Sequence, residues 1–213
     1  MPPVPAREPA RIRRPPERAR QEILDAAERH LFTGGPDAVR VQVVAREIGI
    51  SDAAVHYHFG SREGLLEALL RRAGRRLREE ITDALESPPL DVGVLAKHLR
   101  NTYSARGYAR LTAWLLLAGW QPSGKGLLRP QAEAMHRRRA GVASVDRGGS
   151  PGLEDTLFSL VLLNLFFWAE PLVGPAALEM LGLSGDEPTA ERLRGWLVQL
   201  VEDHLMQQDH RRQ

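Results

Sequence analysis

From residue 17 onward, apolar residues recur every three or four positions, and this spacing limits the possible folds more than any other feature. Such a period places apolar side chains on one face of an α-helix, whereas a half-buried strand would alternate them at every second position. No convincing run of alternating β-branched residues and no internal repeat accompanies the pattern. The sequence therefore predicts an all-α fold.

The composition narrows the class of protein. The chain has 213 residues, of which 43% are apolar and 26% charged, as in ordinary soluble domains. It contains no cysteine, which excludes disulfides and thiolate sites and fits a reducing cytoplasm. The first 30 residues hold no apolar run typical of a secretory signal, and the longest run, residues 157–169, has 13 residues, too few to span a bilayer. We expect a cytoplasmic protein without a membrane partner, metal or cofactor.

Positive charge is concentrated near the N-terminus. The net charge is only +2, but residues 1–80 carry 15 arginines against 12 acidic residues. Of the 29 basic residues, only Lys97 and Lys125 are lysines, and the planar fork of arginine suits phosphate. On charge alone, a polyanion partner and a solvated charged surface are equally compatible with this distribution. Residues 1–16 contain six prolines and are predicted to form a disordered basic tail.

Two glycines divide the next segment into short helices. Gly49 ends a helix predicted over residues 41–48, and Gly60 ends another that begins after Ser51. Ser51 and Ser61 are N-cap residues, the second for a longer helix that continues toward residue 86.

The residues around the first glycine fit a helix-turn-helix motif. Ala45 is small enough to let two helices cross closely, and Gly49 can adopt the positive φ that the turn requires. Val55 fills the angle between the helices, and Ile48 and Ile50 anchor the turn in a core.

Four segments carry a resemblance to a known family: Ile23–Ala27, Leu31–Phe32, Val44–Ser51 and Val55–Leu66. Together they resemble the DNA-binding domain of the tetracycline-repressor (TetR) family of bacterial transcription regulators. The resemblance covers about a quarter of the chain, and the C-terminal two thirds match the family by architecture only.

The resemblance implies an N-terminal three-helix helix-turn-helix domain and a C-terminal helical ligand-binding and dimerisation domain. The first would occupy residues 17–62 and continue into a connecting helix over residues 62–86, and the second would occupy residues 87–213.

The third helix of such a domain enters the major groove of DNA. The residues that the resemblance assigns to DNA binding are Arg40, Gln42, Ser51, Asp52, Ala53, Ala54, His56, Tyr57, His58 and Arg62. Ala53 and Ala54 let the helix approach closely and can contact thymine methyl groups. The His-Tyr-His cluster and Arg62 are expected to contact phosphates, which position the protein without specifying sequence.

Four residues depart from the usual family pattern. Arg40 stands where a serine or threonine usually caps the second helix, His56 replaces a tyrosine, and Arg62 replaces a lysine. Asp52 is acidic near a polyanion, so it is expected to bond a cytosine amino group or to cap the helix. These differences are expected to change which operator sequence the protein prefers, rather than whether it binds DNA.

Further helices are predicted near residues 91–106, 109–120, 127–145, 153–170, 175–181 and 189–208. Residues 157–168 are apolar on nearly all faces, so the helix must be covered on both sides. A second subunit could supply one side by forming a four-helix bundle, and a purely intramolecular core is the alternative.

Seven residues in this region are candidate ligand contacts, most of them aromatic: Tyr103, Tyr108, Trp114, Trp120, Met135, Asn164 and Trp168. Asn164 lies in an apolar segment, so its amide requires a partner, either a ligand or Asn164 of a second subunit. Ordinary core packing is the alternative for the aromatic residues, and residues 136–139 are predicted to form a solvated helix face.

The favoured function is a homodimeric, non-enzymatic repressor that binds palindromic double-stranded DNA and is released by a small, largely apolar effector. A helical dimerisation or adaptor protein without DNA binding is the alternative. Residues 148–152 match the G-x-S-x-G pattern of a hydrolase nucleophile, but Pro151 lacks the N–H that its oxyanion hole needs and no strand precedes it.

Overall fold

The computed structural model describes residues 15–86, 91–122, 126, 128–145 and 152–210. The predicted tail, apart from its last two residues, and most of the 148–152 segment lie outside the described residues. Within the described part of the chain all regular structure is helical, which confirms the predicted fold class. The helices are α1 (Pro16–Gly34), α2 (Val41–Ile48), α3 (Asp52–Phe59), α4 (Arg62–Glu86), α5 (Val92–Arg100), α6 (Tyr108–Leu117), α7 (Arg129–Val145), α8 (Leu153–Met180) and α9 (Glu187–His210).

The ends of the short helices follow the capping signals in the sequence. The Ala54 N–H donates to Ser51 Oγ over 3.2 Å at the start of α3, and the Gly64 N–H donates to Ser61 Oγ over 3.1 Å at the start of α4. Gly49 adopts φ 69° and ψ 39°, the left-handed conformation expected at the turn that follows α2.

The first core cluster joins α1–α4 with α6. Val44, Ala45 and Val55 of the helix-turn-helix pack against buried residues of α1 and the first half of α4. Tyr108, Leu111 and Leu115 of α6 belong to the same cluster. The start of the second domain at residue 87 stays a prediction, but the packing places α6 with the N-terminal helices.

A second core cluster lies among the second half of α4, α5, α7, α8 and α9. Its buried residues are Leu77, Ile81, Leu85, Val92, Leu95, Ala96, Leu99, Met135, Leu163, Phe167, Leu197, Val201 and Leu205. A π-helical turn, Asn101–Ala105, follows α5 where one continuous helix was expected. This turn and α4 connect the two clusters.

Helix α8 is longer than predicted. The sequence suggested a break between residues 170 and 175, but the helix runs for 28 residues through Pro171 and Pro175. Buried side chains continue on the same face, with Phe167 and Glu170 before the prolines and Leu178 after them. This packing offsets the cost of the missing backbone hydrogen bonds, about 3 kcal/mol or more for an interior proline.

By length and composition alone, α8 could cross a membrane. An 18-residue window has a mean hydropathy of 1.7, and 17% of that window is buried. The core helix of a soluble protein passes the same test of length and composition, so this helix does not overturn the expectation of a protein without a membrane partner. Because so little of the window is buried within the chain, a purely intramolecular core does not account for the apolar segment.

Candidate nucleic-acid interface

Helix α3 is buried on one side and exposed on the other. Val55 is almost fully buried, while Ser51, Asp52, Ala53 and His56 are exposed and Ala54 is half-buried. The hydrogen bond at Ser51 uses one of the four N–H groups that begin a helix, and the helix dipole leaves this end partly positive. The outer face of α3 is therefore small, polar and open at its N-terminus.

The His-Tyr-His cluster at the end of α3 has three different environments. Tyr57 is 82% exposed, and its ring meets that of His58 edge-on, with 5.2 Å between centroids. His58 is half-buried, and its carbonyl accepts a hydrogen bond of 3.2 Å from the Arg20 guanidinium. The same guanidinium lies 4.6 Å from the centroid of the Phe59 ring, which fixes the end of α3 against α1.

The tautomer of His56 follows from its partner. His56 Nδ1 lies 3.0 Å from the carbonyl oxygen of Gly60, which can only accept a hydrogen bond. Nδ1 therefore carries the proton, and in the neutral ring Nε2 is left as an acceptor. A phosphate oxygen is also an acceptor, so Nε2 of this tautomer cannot donate a hydrogen bond to it.

Helix α2 presents Arg40 and Gln42 to solvent beside α3. Arg40 occupies the N-cap position without a side-chain cap, as the sequence predicts, and its Nε donates over 3.4 Å to the carbonyl of Asp37. Both side chains are accessible to solvent.

Arg62 does not point into solvent, contrary to the orientation that a phosphate contact needs. Its Nε donates to the carbonyl of Val39 over 2.8 Å and its NH2 group donates to the carbonyl of Pro36 over 2.6 Å. Its guanidinium also stacks on the ring of Trp114, 4.9 Å from the centroid. The expected phosphate contact at Arg62 is therefore not supported by this geometry.

Hydrogen bonds stabilise the charged form of two carboxylates near the site. Hydrogen bonding from Arg29 holds the pKa of the Glu47 carboxyl below its ordinary value, with a further contribution from His30 and against a small desolvation effect. The Glu47 carboxylate accepts from Arg29 Nε over 2.9 Å, which ties α2 to α1. The pKa of Glu63 is also lowered, first by its own backbone N–H and then by Ser61.

The predicted ligand residues do not form one pocket. Tyr108, Trp114 and Trp120 belong to or pack against the first core cluster, whereas Met135 is buried in the second. Tyr108 donates to Glu28 over 2.9 Å, and burial, together with the Glu28 charge, raises the pKa of its hydroxyl.

Asn164 has a hydrogen-bond partner within the chain. The Tyr103 hydroxyl donates to Asn164 Oδ1 over 2.8 Å, and burial raises the pKa of that hydroxyl. The Trp168 indole N–H, one turn further along α8, is buried and has no hydrogen-bond partner within the described residues. Of the predicted set, these three residues on α8 and the π-helical turn remain the best candidates for a ligand contact.

The residue pattern did not predict the clefts found on the surface. One, of about 400 Å³, lies between α4 and α7 and is lined by Thr82, Leu85, Pro130, Gln131, Ala134, Arg137 and Arg138.

The 136–139 segment is not wholly a solvated face, because Arg139 is buried and donates to Thr156 Oγ1 over 2.6 Å and to the carbonyl of Leu205 over 3.0 Å. Among the described residues, no group of three His, Asp or Glu side chains is placed to hold a metal ion.

A short helix that follows a glycine turn, packs against the helix before it and exposes its other face defines a helix-turn-helix motif. The profile of the bacterial regulatory proteins of the tetR family matches residues 23–69. Residues 23–69, from α1 into the first part of α4, are therefore similar to that family.

Two relatives and two solved structures illustrate the similarity. The HTH-type transcriptional regulator BetI of Brucella canis is 31% identical over 122 residues, 55% of this chain and 62% of that protein. BetI of Rhizobium meliloti is 33% identical over 98 residues, 45% of this chain and 48% of the relative. The chain thus aligns with less than two thirds of the length of these relatives.

The structural neighbours support the fold. A TetR variant from Acinetobacter baumannii in complex with minocycline has a TM-score of 0.56 at 18% identity and covers 90% of this chain and 96% of its own. A transcriptional regulator from Saccharomonospora viridis in complex with choline has a TM-score of 0.57 at 20% identity and covers 87% and 96%. At these identities the likeness concerns the fold only.

Proposed function

We propose that the protein is a homodimeric, sequence-specific DNA-binding transcription regulator that acts as a repressor in the cytoplasm. The observation that carries the proposal is the exposed outer face of α3, which the buried Val55 and the Ser51 cap hold in a fixed orientation. An α-helix of this kind fits the major groove of B-DNA.

The side chains divide into base-reading and phosphate-binding groups. Ala53 and Ala54 allow close approach and contact thymine methyl groups, and Asp52 accepts from a cytosine amino group. The residues that bind phosphates or the groove edge are Arg40, Gln42, Ser51, His56, Tyr57 and His58. We leave Arg62 out of this set, because its guanidinium bonds the loop between α1 and α2.

The homodimer is supported by an apolar stripe on α8 and α9. Phe158, Val161, Leu162, Leu165 and Val173 are exposed on α8, opposite the side chains that pack into the second core cluster. Trp196 and Leu200 are exposed on α9. Two copies of this helix pair form a four-helix bundle and present two α3 helices to one face of a palindromic site, one DNA turn apart, roughly 34–36 Å.

The effector is a small, largely apolar molecule that lowers the affinity for DNA by binding one conformation better than the other. The structural neighbours crystallised with minocycline and with choline show that proteins of this fold hold small molecules. In this chain the buried Trp168 N–H and the Tyr103–Asn164 pair can supply the few polar contacts of an apolar site.

The test is fluorescence anisotropy with DNA from upstream of the protein's own coding sequence and with shuffled DNA of the same length, across a salt series. Tight binding to the upstream DNA is expected, with log affinity falling by about 0.9 per log unit of salt for each phosphate neutralised.

Two variants test whether DNA binds at the end of α3. Tyr57→Ala is expected to weaken binding to both DNAs about tenfold, which corresponds to one lost phosphate contact in each protomer. Phe32→Ala removes another exposed aromatic ring, on α1, and is expected to leave affinity unchanged. Absence of binding at low salt would favour the adaptor protein instead.

A further inference from the structure

Arg62 is the residue at which three elements meet. It begins α4, bonds the carbonyls of Pro36 and Val39 in the loop between α1 and α2, and stacks on Trp114 of α6. The nearest carboxylate, that of Asp37, lies 3.7 Å from its NH2 group and is itself exposed. The contacts closest to the guanidinium are therefore two backbone carbonyls and an indole ring.

The geometry of these contacts depends on a guanidinium. Its flat fork donates from Nε and NH2 to two carbonyls at once, while its face remains against the indole. A lysine ammonium is a compact point charge and cannot make the two parallel hydrogen bonds and the stacking contact together.

The loop that Arg62 holds leads directly into the DNA-binding helices. Val39 is fully buried, Arg40 is the N-cap of α2, and α2 packs against α3. A displacement of residues 36–39 therefore moves the start of α2 and, with it, the orientation of α3.

We propose that Arg62 is a positioning residue of the DNA interface, which fixes the loop between α1 and α2 against Trp114, and that it does not bind phosphate. This inference rests on the proposed function for its effect on DNA, but the contact itself can be measured in the free protein.

The first measurement is hydrogen–deuterium exchange of backbone amides in residues 37–41 of the full chain without DNA. Arg62→Ala is expected to accelerate exchange in this segment about tenfold, and Trp114→Leu to accelerate it less. The double variant should exchange no faster than Arg62→Ala, because both changes act through one contact. Arg110→Ala, which removes an exposed arginine of α6, is the matched control and should leave the segment unchanged.

The second measurement is DNA affinity across a salt series for the wild type, Arg62→Ala and Arg62→Lys. If Arg62 positions the loop, both variants bind all DNAs about tenfold more weakly with the salt slope of the wild type. If Arg62 binds phosphate, Arg62→Ala lowers the slope by about two per dimer and Arg62→Lys restores affinity.

The two measurements separate this inference from the proposed function. Unchanged exchange in Arg62→Ala, or recovery of affinity by lysine, overturns the positioning role. A wild-type protein that binds no DNA overturns the proposed function, and the exchange data still decide whether Arg62 and Trp114 hold the loop.

Discussion

Adjacent residues at the end of α3 have different capacities because each side chain meets a different neighbour. Tyr57 is free to donate from its hydroxyl, whereas His58 is half-buried and lies against the rings on either side of it. His56 is exposed but uses its Nδ1 proton on the Gly60 carbonyl. The three residues therefore differ in their capacity to donate a hydrogen bond to a phosphate.

Helices α8 and α9 are joined by a buried ion pair. Arg194 donates to Glu170 over 2.7 Å, and both side chains are less than 10% exposed. Burial opposes the charge on Arg194, but the Glu191 hydrogen bond and the charges of Glu170 and Glu187 outweigh it and raise the pKa of the guanidinium. The pair fixes the crossing of the two helices that carry the exposed apolar stripe.

Glu170→Gln is expected to lower the free energy of unfolding by about 2–4 kcal/mol, because it removes the buried partner of a buried charge. Glu187→Gln makes the same chemical change against the same arginine at a side chain that is 65% exposed, and should cost less than about 1 kcal/mol. Urea denaturation at one protein concentration measures both. Equal losses would show that burial does not determine the strength of this pair.

At the scale of the whole molecule, the exposed stripe on α8 and α9 is the feature that a single chain leaves incomplete. Its residues are large and apolar, whereas the opposite face of α8 buries Thr156, Ser159 and Glu170 within the chain. In the homodimer that we propose, a second copy would cover the stripe, and two copies of α3 would lie on one side of the assembly.

If the proposed homodimer forms across this stripe, Leu165→Glu is expected to make the protein monomeric in sedimentation velocity, because the new charge would lie in the middle of the apolar interface. Leu165 is 58% exposed in the single chain, and Leu117, which is 91% exposed at the end of α6, provides a matched control. Leu117→Glu should remain dimeric. A wild-type protein that sediments as a monomer would contradict the homodimer.

Much of the helix-turn-helix could be predicted because its signals are local. Gly49 needs only its own φ to end α2, and Ser51 and Ser61 cap helices that begin at the next residue. The bounds of α2 agree with the prediction, and those of α3 lie within about one residue of it. Exposure of the α3 face follows from the same helical period that buries Val55.

Partners that lie far apart in the chain were decided only by the tertiary structure. Tyr103 and Asn164 are 61 residues apart, and the stacking of Arg62 on Trp114 likewise joins different helices, so no sequence spacing indicates these contacts. The predicted ligand residues separated into two clusters because α6 packs with the N-terminal helices. Local propensity also predicted a break at Pro171, but packing on both sides of the prolines keeps α8 continuous. The sequence by itself determined where the short helices begin and end, since those choices depend on neighbouring residues, whereas long-range packing determined which side chains meet.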